Sequence, residues 1–173
     1  MRANTLACSE PLNTLSIIRS HIVAAPAHQD PVSRRAGPVD IGAAVARFSV
    51  ERLTLLREIL ISITQADAAD GSSDGSAGAV AQIAMRRAIE GIEESTDYLA
   101  FLSDSHDCEI DTCDAIDLAV TRFSAIRAML EATRLQGCRE VAELAAAGVV
   151  LAAGGLERAH AGRTAIAPLG LVA

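Results

Sequence analysis

Lysine and tryptophan are absent from this 173-residue chain, and its aromatic side chains are only Phe48, Phe101, Phe123 and Tyr98. With so few rings, any core must be filled by Leu, Ile, Val and Ala. Those residues suit closely packed helices, and the alternating β-branched and aromatic runs that mark strands are missing too. The fold class expected is therefore all-α.

All 15 basic residues are arginine. Without lysine there is no phosphate-cradling P-loop, and the glycines of 71–78 follow no strand that would place them under a nucleotide. Two causes account for the missing lysine. One is a GC-rich, bacterial coding bias, in keeping with the abundant Ala and Gly. The other is selection against ubiquitinable amines, as in an effector delivered into a eukaryotic cytosol.

Clustered cations are also scarce. Arg34-Arg35 and Arg86-Arg87 are mere pairs in a chain of net charge −7 and pI near 5.0. A duplex-binding surface must displace counterions with a dense basic patch, so nucleic acid is excluded as an expected partner. The four cysteines, Cys8, Cys108, Cys113 and Cys138, are too few and too unevenly spaced for a disulfide framework, which points to thiols in a reducing compartment. The longest apolar run, LAAAGVVLAAGGL at 144–156, is too short to cross a bilayer and reads as a buried helix. The opening MRANTLACSEPL has no continuous apolar stretch of a secretory signal, so a cytoplasmic location is expected.

What is present is helical periodicity. Residues 1–38, broken by Pro11, Pro26, Pro31 and Pro38, read as a mostly irregular N-terminal arm. Leu12, Leu15, Ile18 and Ile22 suggest one short amphipathic helix in it, over 12–24. A four-helix bundle is expected over 39–162, with helices at 39–66, 78–102, 112–135 and 138–160 and a frayed tail at 163–173. In the first helix Ile41, Val45, Phe48, Leu55, Leu56, Ile59, Leu60 and Ile63 form the apolar face, with Asp40 as N-cap. Val80, Ala84, Ala88, Ile92, Leu99 and Leu102 form the stripe of the second, and Ile116, Ala119, Phe123, Ile126 and Leu130 that of the third. The third helix starts after Asp111 as N-cap, with Asp114 in its first turn, and Gly137 ends it. The fourth carries Gly148 and Gly155 on its inner side, where small residues would let a neighbouring backbone approach closely.

One phrase occurs twice: AVARFS at 44–49 and AVTRFS at 119–124. VAQIA at 80–84 and VAELA at 141–145 form a second matching pair. Both fit a duplicated αα-hairpin, two copies of which would pack as an antiparallel four-helix bundle. In that arrangement Val45, Phe48 and Leu55 face Val120, Phe123 and Leu130.

Signals for chemistry are sparse. HDCEIDTCD at 106–114 gathers His106, Cys108 and Cys113, but zinc needs four ligands and the second ligand pair is missing. Glu157 and His160 form one ExxH, whereas a di-iron bundle needs two such motifs and two further carboxylates. These five residues are the metal candidates. AHAGRTAIAPLG at 159–170 resembles in outline the histidine phosphotransfer motif, at His160, Arg163 and Gly170. That motif lies inside a central helix, however, whereas Pro168 closes this one, so His160 is expected to be an exposed terminal histidine. Glu90, Glu93, Glu94 and Asp97 share one helix face and form a candidate interaction face for a basic partner.

These features describe a non-enzymatic helical bundle with no cofactor. It would act by protein–protein contact, as an accessory or regulatory subunit or as a homo-oligomer. The alternatives are a secreted effector, from the lysine-free composition, and a metal-binding or di-iron-like bundle.

Overall fold

The computed structural model describes residues 37–71, 75–104 and 112–167. Of the chain's two units, Met1–Arg34 and Arg35–Ala173, the first lies outside the described residues, and with it nearly all of the expected arm and the short helix expected at 12–24. In the second, four helices account for nearly every described residue and no strand occurs among them: α1 (Pro38–Asp70), α2 (Ser76–Asp104), α3 (Thr112–Gln136) and α4 (Arg139–Ile166). No described helix is long and apolar enough to cross a membrane.

The helix ends follow from local chemistry. Pro38 fills the first helical position of α1, where a missing N–H costs nothing. Asp40 does not act as the N-cap. It lies one turn in, and its carboxylate accepts the Gly37 N–H at 3.0 Å. At the other end α1 runs on to Asp70 and stops at Gly71, whose φ of 58° a side chain would oppose. The extra turn brings Asp67 into the interface with α2, where its carboxylate accepts the Gly78 N–H at 2.8 Å. A residue of α1 thus caps the N-terminus of α2, meeting both an orphan amide and the positive helix end. Asp67→Ala is expected to lower stability by about 1–2 kcal/mol and Asp67→Asn by less, as read by urea unfolding; equal stability of all three proteins would refute the cap.

Side-chain neighbours establish the antiparallel order. Between α1 and α2, Asp67 meets Gly78, Leu53 meets Gly91 and Gly42 meets Tyr98, one number falling as the other rises. Between α3 and α4 the series is Leu130 with Gly148, Phe123 with Gly155 and Ile116 with Gly162. Ile59 and Val45 of α1 approach Gly148 and Gly162, while Arg122 of α3 approaches Gly91, which completes the ring. The structure is therefore an antiparallel four-helix bundle.

The core has a division of labour. Leu53, Leu56, Leu60 and Ile63 of α1, with Phe123, Ile126 and Leu130 of α3, are 0–1% exposed and supply the bulk. Buried positions of α2 are mainly small: Ala77, Ala81, Ala84 and Ala88. On α4, Gly148, Gly155 and Gly162 recur every seven residues beside Leu130, Phe123 and Val45. Each hairpin thus pairs a helix of knobs with a helix of holes, and α1 and α3 meet across the centre more closely than α2 and α4 do. The glycines admit side chains rather than a bare backbone. α4 also continues beyond its expected end at 160. Residues 163–166, expected in a frayed tail, are helical, and Ile166 is 1% exposed.

Two expected faces differ. On α2 the expected Ala84 and Ala88 are buried, whereas the large residues Val80, Ile92, Leu99 and Leu102 are only half-buried; where Leu53 presses on Gly91 there is little room for a large side chain. In the repeated phrase, Phe123 is buried in the core while Phe48 is half-buried between the guanidiniums of Arg52 and Arg158, 5.1 and 5.9 Å from its ring centre. Ser49 is buried and Ser124 exposed. The shared letters therefore sit in unlike surroundings, turned by about one residue around the helix.

Candidate docking groove between α2 and α3

The acidic stripe of α2 divides in two. Glu90 and Glu94 lean toward α3, where Arg122 donates Nε and Nη2 to the two carboxylate oxygens of Glu94 at 3.0 and 2.6 Å. Its Nη1 donates to Glu90 at 2.8 Å. This fork is the geometry in which arginine holds a carboxylate most firmly. The Arg122 side chain is 13% exposed, while its two glutamate partners are about one-third exposed. Its pKa is raised above the usual arginine value, first by the hydrogen bond to Glu94 and then by the charges of Glu94 and Glu90, against the opposing effect of burial. The guanidinium therefore stays protonated, and the stability linked to that raised value falls away as pH climbs through it, at strongly alkaline pH. Glu93 and Asp97, on the outer side of the stripe, are exposed.

Beyond Glu94, toward the end of α2, the surface opens into a groove of about 530 Å³. Tyr98 and Phe101 of α2, Ala115 and Leu118 of α3, and Ala46 of α1 give it an apolar floor; Glu94, Ser95, Asp97 and Asp114 form its polar margin. The Tyr98 side chain forms one wall, 6% exposed, with its hydroxyl 3.4 Å from that of Thr112. It fits there because Gly42 has no side chain; a Cβ at that position would stand 2.5 Å from the tyrosine oxygen. Phe101 is turned outward and is 36% exposed. Among the described residues neither Asp97 nor Asp114 forms an ion pair, and no arginine or histidine lines the groove.

The metal candidates are placed as follows. His106 and Cys108 lie outside the described residues. Cys113 is half-buried in the first turn of α3, and Glu157 and His160 are both exposed on α4. Among the described residues no group of three or more His, Cys, Asp or Glu side chains is arranged to hold a metal ion. A smaller cavity of about 330 Å³ lies at the α1–α2 turn beside Gly71, Gly75 and Gly78. Asp67 already serves the helix N-terminus there.

Sequence reasoning found Glu94 and Asp97 but missed Tyr98, Phe101, Asp114 and Leu118 as parts of one surface. A signal was present: the only tyrosine and one of three phenylalanines fall three apart, in YLAF, directly after the acidic stripe.

Comparison of the chain with protein-family models, with curated proteins and with solved structures finds no match in any of the three.

Proposed function

We propose that this chain is a non-enzymatic interaction module, an accessory or regulatory subunit that seats part of a partner protein in the groove between α2 and α3. The observation that carries this reading is an open, mostly apolar concavity of about 530 Å³ that presents a partly exposed Phe101. Aromatic side chains are the usual anchors of protein interfaces, and this chain has only four to distribute. Two of them stand at this one groove. Among the described residues its lining contains neither imidazole nor thiol, and its acidic side chains stand beside apolar ones. That arrangement suits contact better than proton transfer.

The test is site-specific photo-crosslinking in cells that make the protein. A photoreactive residue at 101 is expected to give a discrete adduct. One at 139, where the arginine side chain is 93% exposed at the opposite end of the bundle, is expected to give none. Leu118→Arg should abolish the adduct at 101 without changing the melting temperature. Equal labelling from both positions, or an adduct that survives Leu118→Arg, overturns the reading. Light scattering on the purified chain separates a foreign partner from a second copy.

A further inference from the structure

We infer that the occupant of this groove is a basic amphipathic segment, one that presents an apolar cluster to Tyr98, Phe101 and Leu118 and arginine or lysine to Asp97 and Asp114. The inference rests on the docking function proposed above and names the chemistry of the partner.

Three observations select it. The floor is apolar, so some of the occupant must be apolar, and those side chains lose water against the phenylalanine and leucine. The margin is acidic on two sides, with Asp97 on α2 and Asp114 on α3, and neither carboxylate has a cation of its own among the described residues. Two carboxylates bordering one low-dielectric concavity repel an anion and attract a cation, and an arginine brought there also meets the face of an aromatic ring. Glu94 adds little to this attraction, because both its oxygens are occupied by Arg122. The whole chain carries a charge of −7, so another bundle would bring like charge to an acidic margin. A foreign, basic segment relieves that repulsion. A helical one suits a groove that runs between two helices.

The chain contains its own reporter. Tyr98 is the only tyrosine and there is no tryptophan, so ultraviolet emission of the unlabelled protein reports from the groove wall. The probe is a synthetic helical peptide of about 14 residues, free of aromatics, with leucines one turn apart flanked by arginines. The controls are the same composition scrambled to destroy the apolar face and the same pattern with glutamate in place of arginine. A fourth peptide carries glutamine instead. The amphipathic basic peptide should change tyrosine emission saturably, with an apparent Kd that rises with salt. In the full-length protein carrying Asp97→Asn and Asp114→Asn, affinity should fall about tenfold and most of the salt dependence should vanish. Phe101→Ala should weaken binding and leave the salt dependence in place. Unaltered melting temperatures verify that each variant folds.

If the scrambled basic peptide binds as well, or the doubly substituted protein binds unchanged, the charge pairing is overturned. If the glutamine or glutamate peptide binds better than the basic one, the groove remains a docking site and the basic partner is wrong. If no peptide moves the tyrosine signal, both the partner and the docking site are wrong.

Discussion

Replacing Phe123 with alanine is expected to lower the stability of the bundle by about 4 kcal/mol. The ring is wholly buried, and it enters the gap left by Gly155 on the facing helix. Deleting it forfeits its transfer from water and leaves a cavity that rigid neighbours cannot close. The more telling experiment couples the two positions. A methyl group at 155 would collide with the phenylalanine ring, so Gly155→Ala in the native protein should cost about 1–3 kcal/mol despite alanine's better helix propensity. In the Phe123→Ala background the same substitution meets empty space, adds helix propensity and fills part of the void. Its sign should therefore reverse, to a gain of about 1 kcal/mol. Urea unfolding of the four proteins of this cycle supplies the measurement. If Gly155→Ala behaves alike in both backgrounds, α4 does not receive the ring as described.

This coupling is also where sequence and structure are most instructive together. The side of α3 that turns inward was legible because Ile116, Phe123, Ile126 and Leu130 repeat with helical spacing and nothing competes with them. The glycines of α4 were legible as a place of close approach for the same reason. On α2 the expected stripe had Ala84 and Ala88 right, but it also turned Val80, Ile92, Leu99 and Leu102 inward, and these are only half-buried. Ile83 and Ile89 are exposed, at 55% and 38%, while four alanines are wholly buried. Hydrophobicity alone ranks isoleucine above alanine. The side of α2 that goes inward is decided instead by the volume left beside Leu53, a residue of another helix, and no window along α2 contains that information. The repeated phrase teaches the same lesson. AVARFS and AVTRFS share letters, but each helix turns according to its neighbours, so Phe48 ends between two arginines and Phe123 in the core.

The groove was harder to anticipate than the core. It takes residues from three helices, and its floor is made of side chains that a pattern reading assigns either to the core or to a wetted surface. The acidic stripe was visible as carboxylates on one side of α2, but local spacing could not reveal that Arg122, 28 residues beyond Glu94, would claim half of them. Arg122 and Arg47 are the matching letters of the repeated phrase, yet Arg47 is exposed and Arg122 is largely enclosed. A shared residue can keep its identity while its role changes entirely.

Arg122 is also the residue at which stability and binding should part. Arg122→Ala leaves Glu94 without its cation and Glu90 with only Arg87, at 3.2 Å, and removes the stem that packs against Gly91. For a fully buried pair, removal of one partner costs about 3–5 kcal/mol. Both glutamates are roughly one-third exposed, so water offsets part of this and a loss of about 2 kcal/mol is expected. Arg122→Ala combined with Glu94→Ala should be less damaging than the sum of the two changes, by about 1–2 kcal/mol, since the second removes a charge the first has stranded. Binding should move the other way. With its guanidinium gone, Glu94 becomes a third unpaired carboxylate at the groove, and the basic peptide should bind about threefold more tightly at low salt. A variant that folds less stably yet binds a cation better cannot be explained by general loosening of the bundle, which would weaken both. Thermal unfolding and tyrosine emission, measured on the same protein at the same salt concentration, decide the matter. If affinity falls together with stability, Arg122 shapes the groove by packing, and its hold on Glu94 does not govern the charge there.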